Sequence, residues 1–133
     1  MGQQQLLLIV LGVIIVGIAV VVGINVFTAS SWQANQDAVV ADLTNIAALA
    51  QQHYRKPVAL GGGGNTFDNW EPPAQLNPTP NMNAAITVTG NSGQGPVVLT
   101  ATGTEVDSDG NRVTVIMTVG PNSIISTAFA AEE

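Results

Sequence analysis

The sequence predicts an α+β protein in which a long N-terminal α-helix, apolar in its first half and amphipathic in its second, packs on a small antiparallel β-sheet of about four strands. Three observations lead to this fold class. Charged residues are only 9% of the chain, and no ionisable side chain precedes Asp37. Neither proline nor glycine occurs in residues 30–56. Residues 84–133 then alternate between β-rich runs and turn residues, the usual pattern of an antiparallel meander.

The first predicted segment, residues 1–29, is an apolar helix. Nothing more polar than glycine occurs in residues 6–22, and the apolar run continues to Phe27 with Asn25 as its break. About 20 helical residues cross the hydrocarbon core of a bilayer. A helix that is apolar on every side must also be covered on every side. The remaining chain is too small to provide that cover, so the helix needs a membrane or further copies of itself.

Three interpretations of this segment compete. A secretory signal peptide is disfavoured because residues 1–5 carry no Lys or Arg and the apolar run is too long. A plain membrane anchor lacks the basic flank that normally fixes orientation. The third interpretation is a helix that lies in the membrane as a monomer and later in a bundle of copies, where small residues such as Gly12, Ala19 and Gly23 allow close approach of backbones. The residues expected in the core of such a bundle are Leu6, Leu7, Leu8, Ile9, Val10, Leu11, Gly12, Ile14, Ile15, Gly17, Ile18, Ala19, Val22, Gly23 and Phe27.

Residues 30–56 are predicted to continue the helix in amphipathic form. A stripe at steps of three and four residues is expected to pack on the sheet, and it comprises Trp32, Val39, Leu43, Ile46 and Ala50, with Gln36 on the same line. The face expected in solvent carries Asn35, Asp37, Asp42, Asn45, Gln51 and Gln52. Pro57 ends the helix. Two helices meeting at residues 28–31 are the alternative, since short hydroxyl side chains there compete for backbone groups, and the glycines at 12, 17 and 23 could melt locally.

The rest of the chain divides into a loop and a sheet. Residues 57–83 contain four consecutive glycines and most of the prolines, which indicates a loop that Phe67 and Trp70 anchor. The four strands are expected at residues 84–90, 97–106, 112–119 and 124–130. One sheet face is expected to meet the helix, and it carries Ile86, Val88, Val98, Val113, Val115 and Met117.

Composition disfavours several classes of function. With a net charge of −6 and only three Lys and Arg residues, the chain lacks the basic cluster that nucleic-acid binding needs. Cysteine is absent, so disulfides and thiolate metal sites are excluded. The only histidine, His53, has no companion nucleophile or carboxylate in a catalytic pattern. We therefore expect no catalytic residues, no enzyme activity and no organic cofactor.

One pattern points to a metal ion. Asp107, Asp109 and Asn111 alternate around Gly110 as in the first half of a calcium-binding loop, and Glu105 could supply a further carboxylate. The second half of such a loop, with its distal glutamate, is missing. A plain hairpin turn is the alternative.

The order of elements resembles that of type IV pilins: an uncharged start, an apolar helix, its amphipathic continuation to about residue 55, a loop, and a four-stranded antiparallel sheet. Bacterial pilins, archaeal pilins and secretion pseudopilins share this plan, so the subtype stays open. The resemblance implies a structural subunit of an extracellular filament on the cell surface, with apolar helices in the core and sheets outside. It also implies a membrane-embedded pool of subunits and an inner-membrane assembly machinery as partner.

The resemblance implies further expectations. Adhesion, motility and DNA uptake are the roles of such filaments, and Met1 would be a site of N-terminal methylation if it is the mature N-terminus. Alternatively, Met1 is the initiator and export differs. Gln5 stands where the family usually has a glutamate. The rival function is a membrane-anchored monomer that displays a small β-sheet binding module.

Overall fold

The computed structural model describes residues 2–132, and it confirms the α+β fold class. One helix, α1 (Gly2–Arg55), precedes a four-stranded antiparallel sheet made of β1 (Thr87–Thr89), β2 (Val97–Val106), β3 (Arg112–Val119) and β4 (Ile124–Glu132). Two short 3-10 turns, Val58–Leu60 and Ala74–Leu76, lie in the intervening loop. Met1, the expected modification site, lies outside the described residues.

Helix α1 is continuous over 54 residues, about 81 Å at 1.5 Å per residue. It does not divide at residues 28–31, because the Thr28 hydroxyl donates to the Ile24 carbonyl within the helix (3.0 Å) and leaves the backbone ladder intact. The helix ends before Pro57, and the glycine-rich loop caps it. The Gly63 amide donates to the His53 carbonyl (2.8 Å), and the Asn65 amide donates to the Tyr54 carbonyl (2.7 Å). Carbonyls that a helix end leaves unpaired are thus satisfied.

The sheet has the strand order β1-β2-β3-β4, with each strand antiparallel to its neighbour in sequence. Strands β2 and β3 have the predicted bounds. β1 is shorter than predicted, since regular pairing begins only at Thr87, opposite Thr100. Upstream of it, an isolated bridge between Met82 and Gly103 joins the loop to β2.

A single core lies between the second half of α1 and one sheet face. From the helix it takes Val39, Leu43, Ile46, Ala47 and Ala50; from the sheet, Val97, Leu99, Ala101, Val113, Val115, Met117 and Val119; and from the loop and the approach to β1, Phe67, Trp70, Met82 and Ile86. Val88 and Trp32 are partly buried at its edge. Phe67 and Trp70 occupy the anchoring positions that the sequence indicated.

The assignment of Val98 to the core face was wrong. Val97 and Leu99 are the buried residues of β2, and side chains alternate along a strand, so Val98 points to the opposite face, beside Thr118. Because the whole run from Val97 to Leu99 is apolar, alternation in the sequence alone could not show which parity faces the helix.

Candidate assembly surface

The apolar half of α1 has no partner within the chain. Every Leu, Ile, Val and Phe side chain from Leu6 to Phe27 is more than half exposed, with values between 52% at Ile14 and 73% at Phe27. In the described residues, 2–132, α1 is the one helix that is long and apolar enough to cross a membrane. All the residues expected in a bundle core therefore lie on one apolar surface, interrupted only at Asn25, which we call the apolar rod (residues 6–27).

The hydrophobic core of the protein is complete without any residue of the apolar rod. The first buried residue of α1 is Asn35, and every buried helix residue lies between it and Ala50. We call the part that encloses this core the head (residues 30–130). Since the rod contributes nothing to the packing of the head, its hydrophobicity has to serve contacts outside the chain.

The glycines of the rod have no role in the isolated chain. A Cβ atom built at Gly12, Gly17 or Gly23 would meet nothing within 4 Å, so no neighbouring atom of the chain requires a glycine there. Each nevertheless costs about 0.5–1 kcal/mol of helix stability relative to alanine. Small residues along an apolar helix allow another helix to approach closely.

Asn35, predicted on the solvent face, is instead buried against the sheet. Its side-chain amide donates to the Asn81 carbonyl (3.0 Å) and to the Thr104 hydroxyl (3.4 Å), and its side-chain oxygen accepts from the Glu105 amide (3.2 Å). A Cβ at Gly103 would overlap that oxygen, so β2 can approach the helix here only with a glycine. The signal was present in the sequence, because Asn35 lies four residues before Val39 and therefore on its face of the helix.

Asp42, also predicted in solvent, holds the loop on the helix. Its carboxylate accepts hydrogen bonds from the Thr79 hydroxyl (2.7 Å) and from the Asn81 side-chain amide (3.0 Å). Asn35 and Asp42 thus fix the same stretch of loop from positions about two turns apart on α1. The loop before β1 is therefore held on the amphipathic half of the helix by hydrogen bonds as well as by apolar packing.

The predicted calcium residues lie in the β2–β3 hairpin. One carboxylate oxygen of Asp107 accepts from the Asp109 amide (2.8 Å) and from the Asn111 amide (2.9 Å). The hydrogen bond from the Asn111 amide contributes most to lowering the pKa of Asp107. Desolvation acts against it, and the Asp109 amide, the Asn111 side chain and the Gly110 amide lower the pKa further. The Glu105 carboxylate lies against the helix, where it accepts from the Ser31 hydroxyl (3.3 Å).

This arrangement gives Asp107 a role as the hydrogen-bonded centre of a turn. Within the described residues, no three His, Asp or Glu side chains come together as a metal site. Calcium binding stays a prediction, and a calcium titration read out as a thermal shift is the measurement that tests it.

The far end of the head carries His53 and a cavity of about 640 Å³. The Nε2 atom of His53 lies 3.1 Å from the Asp68 carbonyl, so the tautomer that fits carries its proton on Nε2. Arg55, Lys56 and Glu71 also line the cavity, and Trp70 forms part of its wall. The cavity therefore has a lining of mixed charge.

Comparison with known proteins does not assign the chain to a family. A scan against protein-family models, a search of curated proteins and a search of solved structures each gave no match. The chain has the general pilin-like architecture, a long apolar N-terminal helix packed on a small antiparallel sheet, and its function has to be inferred from its own residues.

Proposed function

We propose that this protein is a structural subunit of an extracellular helical filament of the type IV pilus kind. The apolar rods of many copies form the core, and the heads form the outer wall. Before assembly, the rod lies in a membrane, from which an assembly machinery extracts the subunit. The observation that carries the proposal is an apolar rod exposed on its whole circumference beside a head whose core is already closed.

The size of the exposed surface supports an environment that covers all of it. Fully burying one large aliphatic side chain is worth about 1.5–3 kcal/mol. The seventeen large side chains of the rod retain more than half of their exposure, so covering them is worth roughly 15–35 kcal/mol as an upper bound. A bilayer satisfies this demand for a monomer, and a bundle of identical rods satisfies it after extraction.

The glycines and the absence of charge favour the bundle as the final state. Gly12, Gly17 and Gly23 cost helix stability in a lone membrane anchor and offer it no benefit. In a bundle they let backbones approach. Gln5, at the start of the rod, can hydrogen-bond a neighbouring chain end without adding a buried charge.

Mechanical shearing of cells that express the chain tests the proposal. We expect the sheared fraction to contain filaments that an antibody to the head labels along their whole length. The rival function, a membrane-anchored monomer that displays the sheet, predicts that the chain stays in the membrane fraction and that no labelled filament appears. Either a membrane-only location or a dispersed monomer in the absence of detergent would refute the filament.

A further inference from the structure

The two ends of the head carry opposite features. The distal end, where α1 stops, has a turn with two basic and two exposed apolar side chains, Arg55, Lys56, Val58 and Leu60; we call it the distal turn. The proximal end, where the rod joins the head, has a cavity of about 570 Å³ between α1 and the β2–β3 hairpin, lined by Thr28, Trp32, Gln33, Asp107 and Ser108 among others. We call this cavity the proximal groove.

The charges of these ends are complementary. Two of the three Lys and Arg residues of the chain lie in the distal turn. Arg55 donates weakly to the Asn122 side chain (3.4 Å), and no ion pair to Lys56 is found among the described residues. Glu71 faces the same distal cavity, so the turn keeps a net positive charge.

The proximal end is acidic. Glu105, Asp107 and Asp109 lie in or beside the hairpin that borders the groove. Arg112 is the one basic residue there, and its guanidinium donates to the Thr104 carbonyl (2.6 Å). Three carboxylates against one guanidinium leave this end negative.

Apolar surface accompanies the charge at both ends. Val58 and Leu60 are 70% and 67% exposed, although each lies in an ordered turn next to the helix end. At the proximal end, the wall of the groove contains the apolar side chains of Ala29 and the half-buried Trp32. The Trp32 indole N–H is buried there with no acceptor among the described residues. An entering segment with an aliphatic side chain and a cation would therefore gain an apolar contact and a charge contact.

The dimensions of α1 allow a second copy to bring these ends together. At 1.5 Å per residue, residues 2–27 span about 39 Å and residues 28–55 about 42 Å. A parallel copy displaced by about 40 Å along the helix axis places its proximal groove at the distal turn of the first copy. The same displacement lays its apolar rod beside the head-bearing half of the first helix.

We propose that the distal turn of one subunit enters the proximal groove of the next, with Lys56 facing Asp107 and Asp109, and Val58 and Leu60 against the apolar wall. This contact between two copies rests on the proposed filament, because it takes the copies as parallel. It is heterologous, since each subunit uses a different surface towards each neighbour, and such a contact repeats without closing. It would connect heads along the filament, in addition to the packing of rods in the core.

Disulfide cross-linking tests this contact directly, because the chain has no cysteine of its own. We expect filaments of the double variant Val58→Cys/Ser108→Cys to give, on oxidation, a ladder of covalent multimers on a denaturing gel. Each single variant should give no ladder. In a heterologous contact, a residue of one subunit does not meet the same residue of the next subunit, so a single cysteine has no partner. The control pair Ser108→Cys/Thr87→Cys places one cysteine on the exposed β1 edge and should also give none.

Charge exchange provides a second measurement. Lys56→Glu should weaken assembly by about two- to fivefold, the range of one exposed ion pair, and the same holds for Asp109→Lys. The double exchange Lys56→Glu/Asp109→Lys should restore assembly to near the original level. The head-to-tail contact would be refuted if filaments that carry the cysteine pair gave no ladder. It would also be refuted if the double exchange weakened assembly by the combined amount of the two single variants. Neither result would refute the filament itself. Absence of filaments from the unaltered chain would overturn both.

Discussion

Two isoleucines with the same exposure separate the effect of assembly from that of monomer stability. Ile18, near the middle of the rod, is 60% exposed, and Ile125, on β4, is 59% exposed. In a lone subunit, an aspartate at either position would remain largely in water, so neither substitution should unfold the head. In a filament core or a bilayer, only the aspartate at position 18 would lose its water.

The magnitude follows from moving that aspartate out of water. At the centre of a membrane helix, aspartate costs about 2.5–3.5 kcal/mol, and isoleucine contributes about 0.3–0.6 kcal/mol in favour. Ile18→Asp should therefore cost about 3–4 kcal/mol per copy, or roughly 100- to 1,000-fold in an equilibrium constant. In a bundle, identical copies add repulsion between like charges. Ile125→Asp should cost no more than about 1 kcal/mol, the span of strand propensity.

The assay is the amount of sheared filament from cells that express equal amounts of each variant, with membrane-retained chain measured in parallel. We expect Ile18→Asp to abolish sheared filaments and Ile125→Asp to leave them near the original level. Thermal denaturation in detergent should show that the head of Ile18→Asp is as stable as in the unaltered chain and that Ile125→Asp loses no more than about 1 kcal/mol. If Ile18→Asp assembles normally, or if both variants lose filaments equally, the rod is not the core of the assembly.

The remaining predictions concern the head. Leu43→Ala should lower the free energy of unfolding by about 2–5 kcal/mol, since Leu43 is fully buried, as measured by denaturation in detergent. Asn35→Ala should cost about 1–3 kcal/mol in the same measurement, because Asn35 is buried and its loss removes the hydrogen bonds to Asn81, Thr104 and the Glu105 amide. The charge of Asp107 stabilises the hairpin above the pKa of an unfolded aspartate, about 3.9, and this contribution is lost as the pH falls through the lower pKa of the folded state. Asp107→Asn keeps an oxygen acceptor but has no charge to lose, so amide exchange in its hairpin should respond less to acid than in the unaltered chain.

Matched substitutions give the predictions for Leu43 and Asn35 a control. Leu60→Ala makes the same chemical change at an exposed leucine, and it should alter stability by less than about 0.5 kcal/mol. Asn45→Ala makes the same chemical change as Asn35→Ala at an exposed asparagine of α1, and it should also alter stability by less than about 0.5 kcal/mol. Equal effects at the two leucines or at the two asparagines would contradict the packing described here. An unchanged acid response in Asp107→Asn would contradict the role of its charge in the hairpin.

Much of the fold could be predicted from the sequence because the strongest signals are local. Continuous apolar residues over 6–22, the lack of proline and glycine over 30–56, and turn residues between β-rich runs each depend only on neighbours along the chain. The bounds of β2 and β3 followed from these turns. Fold class and strand order were therefore within reach.

Positions that depend on contacts between distant segments could not be predicted from these local signals. Val98 was assigned to the wrong sheet face, because a continuous apolar run does not reveal its parity. The helix face of Asn35 could be predicted from its spacing to Val39, but the partners that allow a polar side chain to be buried could not, because they are 46 to 70 residues away.

The sequence by itself determined that one end of this protein cannot face water, because hydrophobicity is a property of the side chains and needs no partner to be recognised. Only the tertiary structure decided that the head completes its core without that end, and which surfaces it leaves exposed beside it. Closure of a core depends on the register of the sheet and on where the helix lies across it, and both are set by contacts between residues far apart in the chain.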